Sequence, residues 1–253
     1  MKKFTLEDIK EEYNDKSIVR AYADQVDGIG LWNIEKWVFD KYVKKDDKIL
    51  NIGCGAGRET IPLYELGWHN IIGADLSQGM IDQAQLFAKE KELEIQFEVQ
   101  DVISLPYEEA NFDCVFLSAN IIMCVPSFAL REKAIEEIHR ILKDGGIAIF
   151  IIWDKDALEE QEFDDFAKVD VTEKYDLEKG DIVSAHYNLK ESYLHEAEPD
   201  YLPTLLREKD FKIELMDYCD NIVPHSEKEI YTKLSKIIIA KKCPASNKTT
   251  NHN

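Results

Sequence analysis

Ile49-Leu50-Asn51-Ile52 runs straight into Gly53-Cys54-Gly55-Ala56-Gly57, and the fold class turns on that junction. The first four residues are a short apolar run, the pattern of a strand buried on both faces. Glycines at 53, 55 and 57 then form a turn whose backbone, lacking Cβ atoms, lets a ligand approach closely. The amphipathic segment from Arg58 to Leu66, with Gly67 in a C-cap position, supplies the following helix, whose N-terminus adds a partial positive charge. The glycine spacing is G-x-G-x-G. A dinucleotide fold carries G-x-G-x-x-G, and Arg58 occupies the place of its third glycine.

Downstream, strand and helix keep alternating. Asn70-Ile71-Ile72-Gly73-Ala74 predicts a second buried strand ending at Asp75. Ser77 is the N-cap of a helix over about 78–91, with Met80, Ile81, Ala84, Phe87 and Ala88 inward. Ile95–Val99 and Phe112–Leu117 predict two more strands. Leu130–Leu142 predicts a helix, Lys143-Asp144-Gly145-Gly146 its stop, and Ile147–Trp153 a fifth strand. Apolar strands separated by helices imply an α/β doubly wound, mostly parallel sheet covered on both faces.

The flanks read differently. Residues 1–45 form helices, with Ile18, Tyr22, Val26 and Ile29, then Ile34, Trp37, Val38 and Tyr42, at helical spacing. Residues 154–198 are charge-rich, with Ile182-Val183-Ser184-Ala185 as the best strand candidate, and a long irregular insertion of this kind reads as a lid. A helix resumes over Asp200–Lys209, its start displaced by Pro203, before final strands at Lys212–Asp217 and Lys236–Ala240. The expected organisation is one domain over 1–243: a helical cover (1–45), a cofactor-binding core (46–153), the lid (154–198), and a helix with a strand pair (199–243). Pro244 to Asn253 reads as a disordered polar tail.

Two acids stand in register with the glycine turn. Asp75 ends the second strand, where a carboxylate can accept both hydroxyls of a ribose. Asp101 ends the third, where one can accept from an exocyclic adenine amine. A single Asp at a strand end is ordinarily a turn-maker. Three such features at the carboxyl ends of successive strands mark the edge where open α/β sheets bind ligands.

Over Tyr13 to Lys242 the sequence resembles the class I S-adenosylmethionine-dependent methyltransferases, especially the small-molecule type called type 11 or UbiE-like. Ile49-Leu50-Asn51-Ile52-Gly53-Cys54-Gly55-Ala56-Gly57 matches the family's first motif, and Asp75-Leu76-Ser77-Gln78-Gly79-Met80 its D-x-S-x-x-M stretch. Gln100-Asp101-Val102 matches the adenine-contacting stretch, and the run Ile135 to Gly146 looks like the E-x-x-R-x-L-K-x-G-G signature. The resemblance implies a Rossmann-like seven-stranded sheet whose last two strands make an antiparallel hairpin, with S-adenosyl-L-methionine as cofactor. It assigns cofactor contacts to Asn51, Gly53, Cys54, Gly55, Asp75, Leu76, Met80, Asp101 and Val102. It also places Ser118 at the methylating end and Tyr22, with Tyr13, as a lid tyrosine. Asn51 stands where the family has an acid that helps hold the methionine amino group. Asp210 replaces a usual glycine.

Composition bounds the partners. The 253 residues carry 50 Asp+Glu against 31 Lys+Arg, a net charge of −19, which disfavours nucleic acid as a partner. No apolar stretch is long enough for a membrane span and the N-terminus lacks a signal-peptide pattern. Five scattered cysteines without a CxxC pair point to reduced thiols, a cytoplasmic location and no metal site. The expected acceptor is a small molecule, and the protein a monomer or homodimer. An RNA methyltransferase and a non-catalytic S-adenosylmethionine-binding protein are the alternatives. Methyl transfer needs a general base only for some acceptors. His186 and His195 are the base candidates among six histidines, whereas His139 reads as a helix-surface residue.

Overall fold

The computed structural model describes residues 1–153, 173–186, 190–226, 229 and 234–244. Strands β1 (Ile49–Ile52), β2 (Ile71–Asp75), β3 (Gln96–Val99), β4 (Phe112–Leu117) and β5 (Leu142–Ile152) lie in the core. With β8 (Phe211–Tyr218) and β9 (Lys236–Lys242) they form a seven-stranded sheet of order β3-β2-β1-β4-β5-β9-β8. β1 to β5 run parallel, and β9 inserts antiparallel between β5 and β8. β6 (Asp181–His186) and β7 (Lys190–His195) make a separate antiparallel hairpin.

Both faces are buried because neighbouring strand residues join different clusters. Val115, Ala148, Phe150 and Ile238 pack with α6 (Phe128–Ile141) and α7 (Tyr201–Glu208). Phe116, Ile149, Ile151 and Ile239 pack on the other face with Val38 and Phe39 of α3 (Asn33–Tyr42). Helices α4 (Thr60–Glu65) and α5 (Gln78–Glu90) cover β2 and β3 through Ile61, Ile81, Ala84 and Ala88. Ser77 caps α5 as expected, its hydroxyl accepting from the Met80 amide at 3.1 Å.

Four local readings are corrected. Gly145 and Gly146 do not stop a helix. α6 ends at Ile141, Leu142 already pairs with Phe112, and the glycines sit in a register irregularity inside β5. A Cβ on Gly146 would lie 3.0 Å from the Asp113 carbonyl, so the strands meet there only without a side chain. Pro203 does not displace α7. It is the third residue of the helix, where its missing N–H has no intrahelical partner in any case. The helix after the glycine turn begins at Thr60, not Arg58. Strand β7, absent from the sequence reading, pairs with β6. Of the expected lid, residues 154–172 and 187–189 lie outside the described residues, as do 245–253 of the expected tail.

The amino-terminal segment packs on the hairpin. α1 (Leu6–Tyr13) and α2 (Lys16–Gly28) follow a bridge between Lys2 and Tyr175, and Phe4 and Ile9 join Tyr175, Val183 and Tyr193 in one apolar cluster. Arg131 of α6, 1% exposed, ties that hairpin to the core. Its guanidinium donates to the Tyr193 hydroxyl at 2.9 Å, the Tyr201 hydroxyl at 2.8 Å and the Val125 carbonyl at 2.9 Å. Arg131→Leu removes donors from all three acceptors at once. Amide hydrogen exchange at Val183 and Tyr193 should then speed up by about tenfold or more, while β1 and β4 keep their protection. Equal exchange at the hairpin in variant and parent would refute the anchoring role.

Candidate active site

At the carboxyl end of β1 the chain turns through three left-handed glycines, Gly53 at φ +70°, Gly55 at +52° and Gly57 at +95°. Two of them serve packing: a Cβ on Gly53 would fall 2.5 Å from Ile121 Cδ1, and one on Gly57 2.9 Å from Ile61 Cδ1. Gly55 differs. The nearest atom to its Cβ position is in the Tyr22 ring at 3.7 Å, so its open face belongs to a cleft. The turn's amides point inward. Gly53 and Cys54 donate to the Ala74 carbonyl at 2.7 and 3.0 Å, Gly57 to the Cys54 carbonyl at 2.9 Å, and Gly55 to Asp75 Oδ2 at 2.9 Å. These four N–H groups are engaged and so are not available to cradle an anion as the amides of a pyrophosphate site do.

The cleft has two lobes, of about 970 and 590 Å³ of empty space. Tyr22, Cys54, Gly55 and Met80 line the first, and Leu76, Asp101 and Val102 the second. Tyr13, Gly53, Asp75, Ile121 and Cys124 border both, so the lobes adjoin at the sheet's carboxyl edge. Tyr13 and Tyr22 are hydrogen-bonded to each other, their ring centres 5.8 Å apart.

Asp75 sits where the lobes meet. Its Oδ2 accepts from Gly55 and its Oδ1 from the Ser77 amide, each at 2.9 Å. Burial lifts its pKa above the ordinary carboxylate range, against these amides and that of Leu76. A carboxylate has about four lone-pair sites, so acceptor capacity remains for ligand hydroxyls. Asp101 lies in the second lobe with Oδ1 accepting from the Ile103 amide at 3.0 Å.

Two expected contacts do not border the cleft. Asn51, 1% exposed, accepts from the Thr60 hydroxyl at 2.7 Å and donates to the Phe116 carbonyl at 3.3 Å. Its amide satisfies two neutral partners, a task that an ionised carboxylate could not perform, and it ties β1 to α4 and β4. Ser118 donates to Glu35, and Ala119, Asn120 and Ile121 line the cleft in its place.

That Glu35 belongs to a buried ion cluster invisible in the sequence. It is 0% exposed and accepts from Arg58 at 3.0 and 2.7 Å and from the Trp32 amide at 2.8 Å. Arg58 also donates to Glu59 and to the Gly30 carbonyl, and its guanidinium lies 4.1 Å from the Trp32 ring centre. Burial opposes the Arg58 charge, but Glu35 and Glu59 hold its pKa above the ordinary value. Burial raises Glu59 to about 7, Glu35 adding to the effect and Arg58 opposing it. Arg58, Glu59 and Trp32 all border the first lobe, and the Trp32 indole N–H has no partner among the described residues.

The histidines are elsewhere. His195, a base candidate, does not border the cleft: its Nδ1 lies 2.9 Å from Asp181 Oδ1, and its ring packs 5.0 Å from that of Tyr201. The His186 side chain and His252 lie outside the described residues. His139 is partly buried, edge-on to Phe211 at 5.1 Å, and is not a free surface residue. Cys124 borders both lobes, but burial pushes its thiol up to about 12, which leaves it un-ionised and a poor nucleophile. Among the described residues no group of three or more His, Cys, Asp and Glu could hold a metal ion, and no helix is long and apolar enough to cross a membrane.

Comparison with known proteins gives a consistent picture. A family model described as "Methyltransferase domain", type 11, matches residues 50–150. The chain is 34% identical over 124 residues to the ubiquinone/menaquinone biosynthesis C-methyltransferase UbiE of Campylobacter jejuni, covering 47% of this chain and 49% of that one. It is 30% identical over 116 residues to norajmaline N-methyltransferase of Rauvolfia serpentina, covering 45% and 38%. The chain therefore spans half or less of the length of these curated relatives. Among solved structures, a SAM-dependent methyltransferase of Methanosarcina mazei superposes with a TM-score of 0.66 at 24% identity, covering 85% of this chain and 99% of that one.

Proposed function

Residues 50–150 are a methyltransferase domain of the S-adenosylmethionine-dependent type 11 family, and from that premise we propose that the protein methylates a small organic acceptor in the two-lobed cleft. The observation that carries the reading is the position of Asp75, between the lobes and beside a glycine turn whose amides are already engaged.

In this reading the second lobe takes the adenosine. Leu76 and Val102 close on the base, Asp101 accepts from its exocyclic amine, and Asp75 accepts from the ribose hydroxyls. The first lobe takes the methionine end. Glu59 offers an acceptor to the ammonium, and the unpartnered Trp32 N–H a donor to the carboxylate. Bound S-adenosylmethionine supplies an electrophilic methyl group on a sulfonium. The chain's own contribution is alignment of the acceptor for in-line displacement, worth up to about 7–11 kcal/mol of barrier. Among the described residues no histidine borders the cleft. The hairpin β6–β7 and helices α1 and α2 serve as the cover that excludes water, as Phe4 and Ile9 against Val183 and Tyr193 suggest.

Calorimetry with S-adenosylhomocysteine tests the site, with NAD as the control ligand. Asp75→Ala should weaken binding at least about tenfold, since a lost charge-assisted hydrogen bond is worth roughly 1.5–3 kcal/mol. In the parent protein, affinity should also fall as the pH drops through the raised Asp75 pKa, because protonation removes an acceptor. Binding of NAD in preference to S-adenosylhomocysteine, or an unchanged constant in Asp75→Ala, would sink the assignment.

A further inference from the structure

We infer that Asn120 orients the methyl acceptor by donating from its side-chain amide to an oxygen of that molecule, a role that rests on the cleft being the methyl-transfer site. After β4 the chain passes through two successive left-handed residues, Ala119 at φ 47° and Asn120 at φ 68°. Asparagine tolerates this conformation; alanine has no side chain with which to compensate for it. The kink is bolted to β5 at two points. The Asn120 amide N–H donates to the Ile151 carbonyl at 3.0 Å, and the Trp153 amide N–H donates to Asn120 Oδ1 at 2.9 Å.

That second bond settles which way the side chain faces. A backbone N–H only donates, so the atom against Trp153 is the carbonyl oxygen and the NH2 group lies on the other side. Asn120 is 1% exposed, it borders the first lobe, and its Nδ2, itself buried, has no partner among the described residues. Buried polar groups in native proteins are nearly always bonded, and an orphan donor at the wall of a cleft calls for a ligand.

The surroundings narrow the ligand's chemistry. An amide NH2 selects a hydrogen-bond acceptor, most simply a carbonyl oxygen. Among the described residues bordering the cleft, Arg58 is the only permanent cation, and Glu35 and Glu59 already engage it. Glu59 and Asp75 border the same space, so an anionic oxygen is disfavoured unless, like the cofactor's carboxylate, it brings a cation of its own. Tyr13, Tyr22, Trp32, Trp153 and Tyr193 supply flat apolar walls. From the hairpin, Ser184 and Ser192, paired across β6 and β7 and 1% and 5% exposed, bring two hydroxyls to the same lobe. The acceptor class that fits is an uncharged, flat organic molecule bearing a carbonyl oxygen near the atom to be methylated.

Asn120→Asp keeps an oxygen against the Trp153 N–H and removes the donors; Asn120→Gly keeps the left-handed backbone and removes the side chain. The probes are ortho-hydroxyacetophenone and, as an anionic counterpart, benzoate, added to the S-adenosylhomocysteine complex and followed by ligand-observed NMR. The parent should bind the ketone more tightly than benzoate. Both variants should bind the ketone at least about tenfold more weakly while S-adenosylhomocysteine affinity stays within about twofold. Undiminished ketone binding in either folded variant, a parent that prefers benzoate, or a parent that binds no ketone overturns the role. Failure of S-adenosylhomocysteine to bind the parent is read separately, and overturns the function assigned to the cleft and the role of Asn120 with it.

Discussion

Arg58→Met should unfold at a markedly lower urea concentration than the parent, with about 3–5 kcal/mol of stability lost at neutral pH. The methionine keeps most of the stem's volume, so the loss is electrostatic. Glu35, 0% exposed, loses both guanidinium bonds and keeps only the Trp32 amide and the Ser118 hydroxyl. Glu59 loses its cation as well. Without Arg58, which opposes the rise that burial gives it, Glu59 should hold its proton to a still higher pH in the folded state. A group with a raised folded pKa stabilises below its unfolded pKa and loses that contribution as the pH rises through the folded one. The deficit of Arg58→Met should therefore shrink on acidification from pH 8 toward pH 5. Adding Glu35→Gln should recover part of it, and a double-mutant cycle would measure the coupling. A loss below about 1 kcal/mol, independent of pH, would mean that the cluster is solvated and not buried.

Gly55→Val should abolish cofactor binding in a protein that still folds. A Cβ at Gly55 meets only the Tyr22 ring at 3.7 Å, an ordinary contact, so the interior has no reason to reject it. The cost to folding is the left-handed backbone at φ +52°, roughly 1–2 kcal/mol for a side chain other than glycine. The branched methyl groups project into the space beside Asp75, where the ligand must lie. S-adenosylhomocysteine affinity should fall by about a hundredfold or more while circular dichroism stays native. Gly53→Ala makes the contrast, since its Cβ would lie 2.5 Å from Ile121 Cδ1 and should disturb packing before binding. Normal affinity in a folded Gly55→Val protein would show that the turn does not face the ligand.

Much of the binding edge is legible along the chain because its causes are local. A buried strand is an apolar run, a ligand-facing turn needs glycine, and Ser77 before an amphipathic segment caps a helix. Asp75, Leu76, Met80, Asp101 and Val102 border the cleft because a parallel sheet brings the ends of β2 and β3 beside that turn. The misreadings Gly145-Gly146 and Pro203 share a cause. A glycine pair or a proline marks a backbone irregularity, while neighbouring strands and helix position decide what kind.

From its sequence alone this chain is committed to an α/β sheet with a glycine turn and two acids at its carboxyl edge, since hydrophobic period and turn chemistry act over a few residues. Only the tertiary structure decides which polar side chains face the ligand. Asn51 and Ser118, placed by motif, spend their bonding capacity on Thr60, Phe116 and Glu35, whereas Asn120, two residues after Ser118 in the same stretch, and Trp32 border the cleft with donors unpartnered among the described residues. Ser118 meets Glu35 from 83 residues away, and Asn120 meets Trp153 from 33. Periodicity tells which face of an element is buried. A buried polar group must find a partner in space, and the distant chain segment that supplies it is brought there by folding.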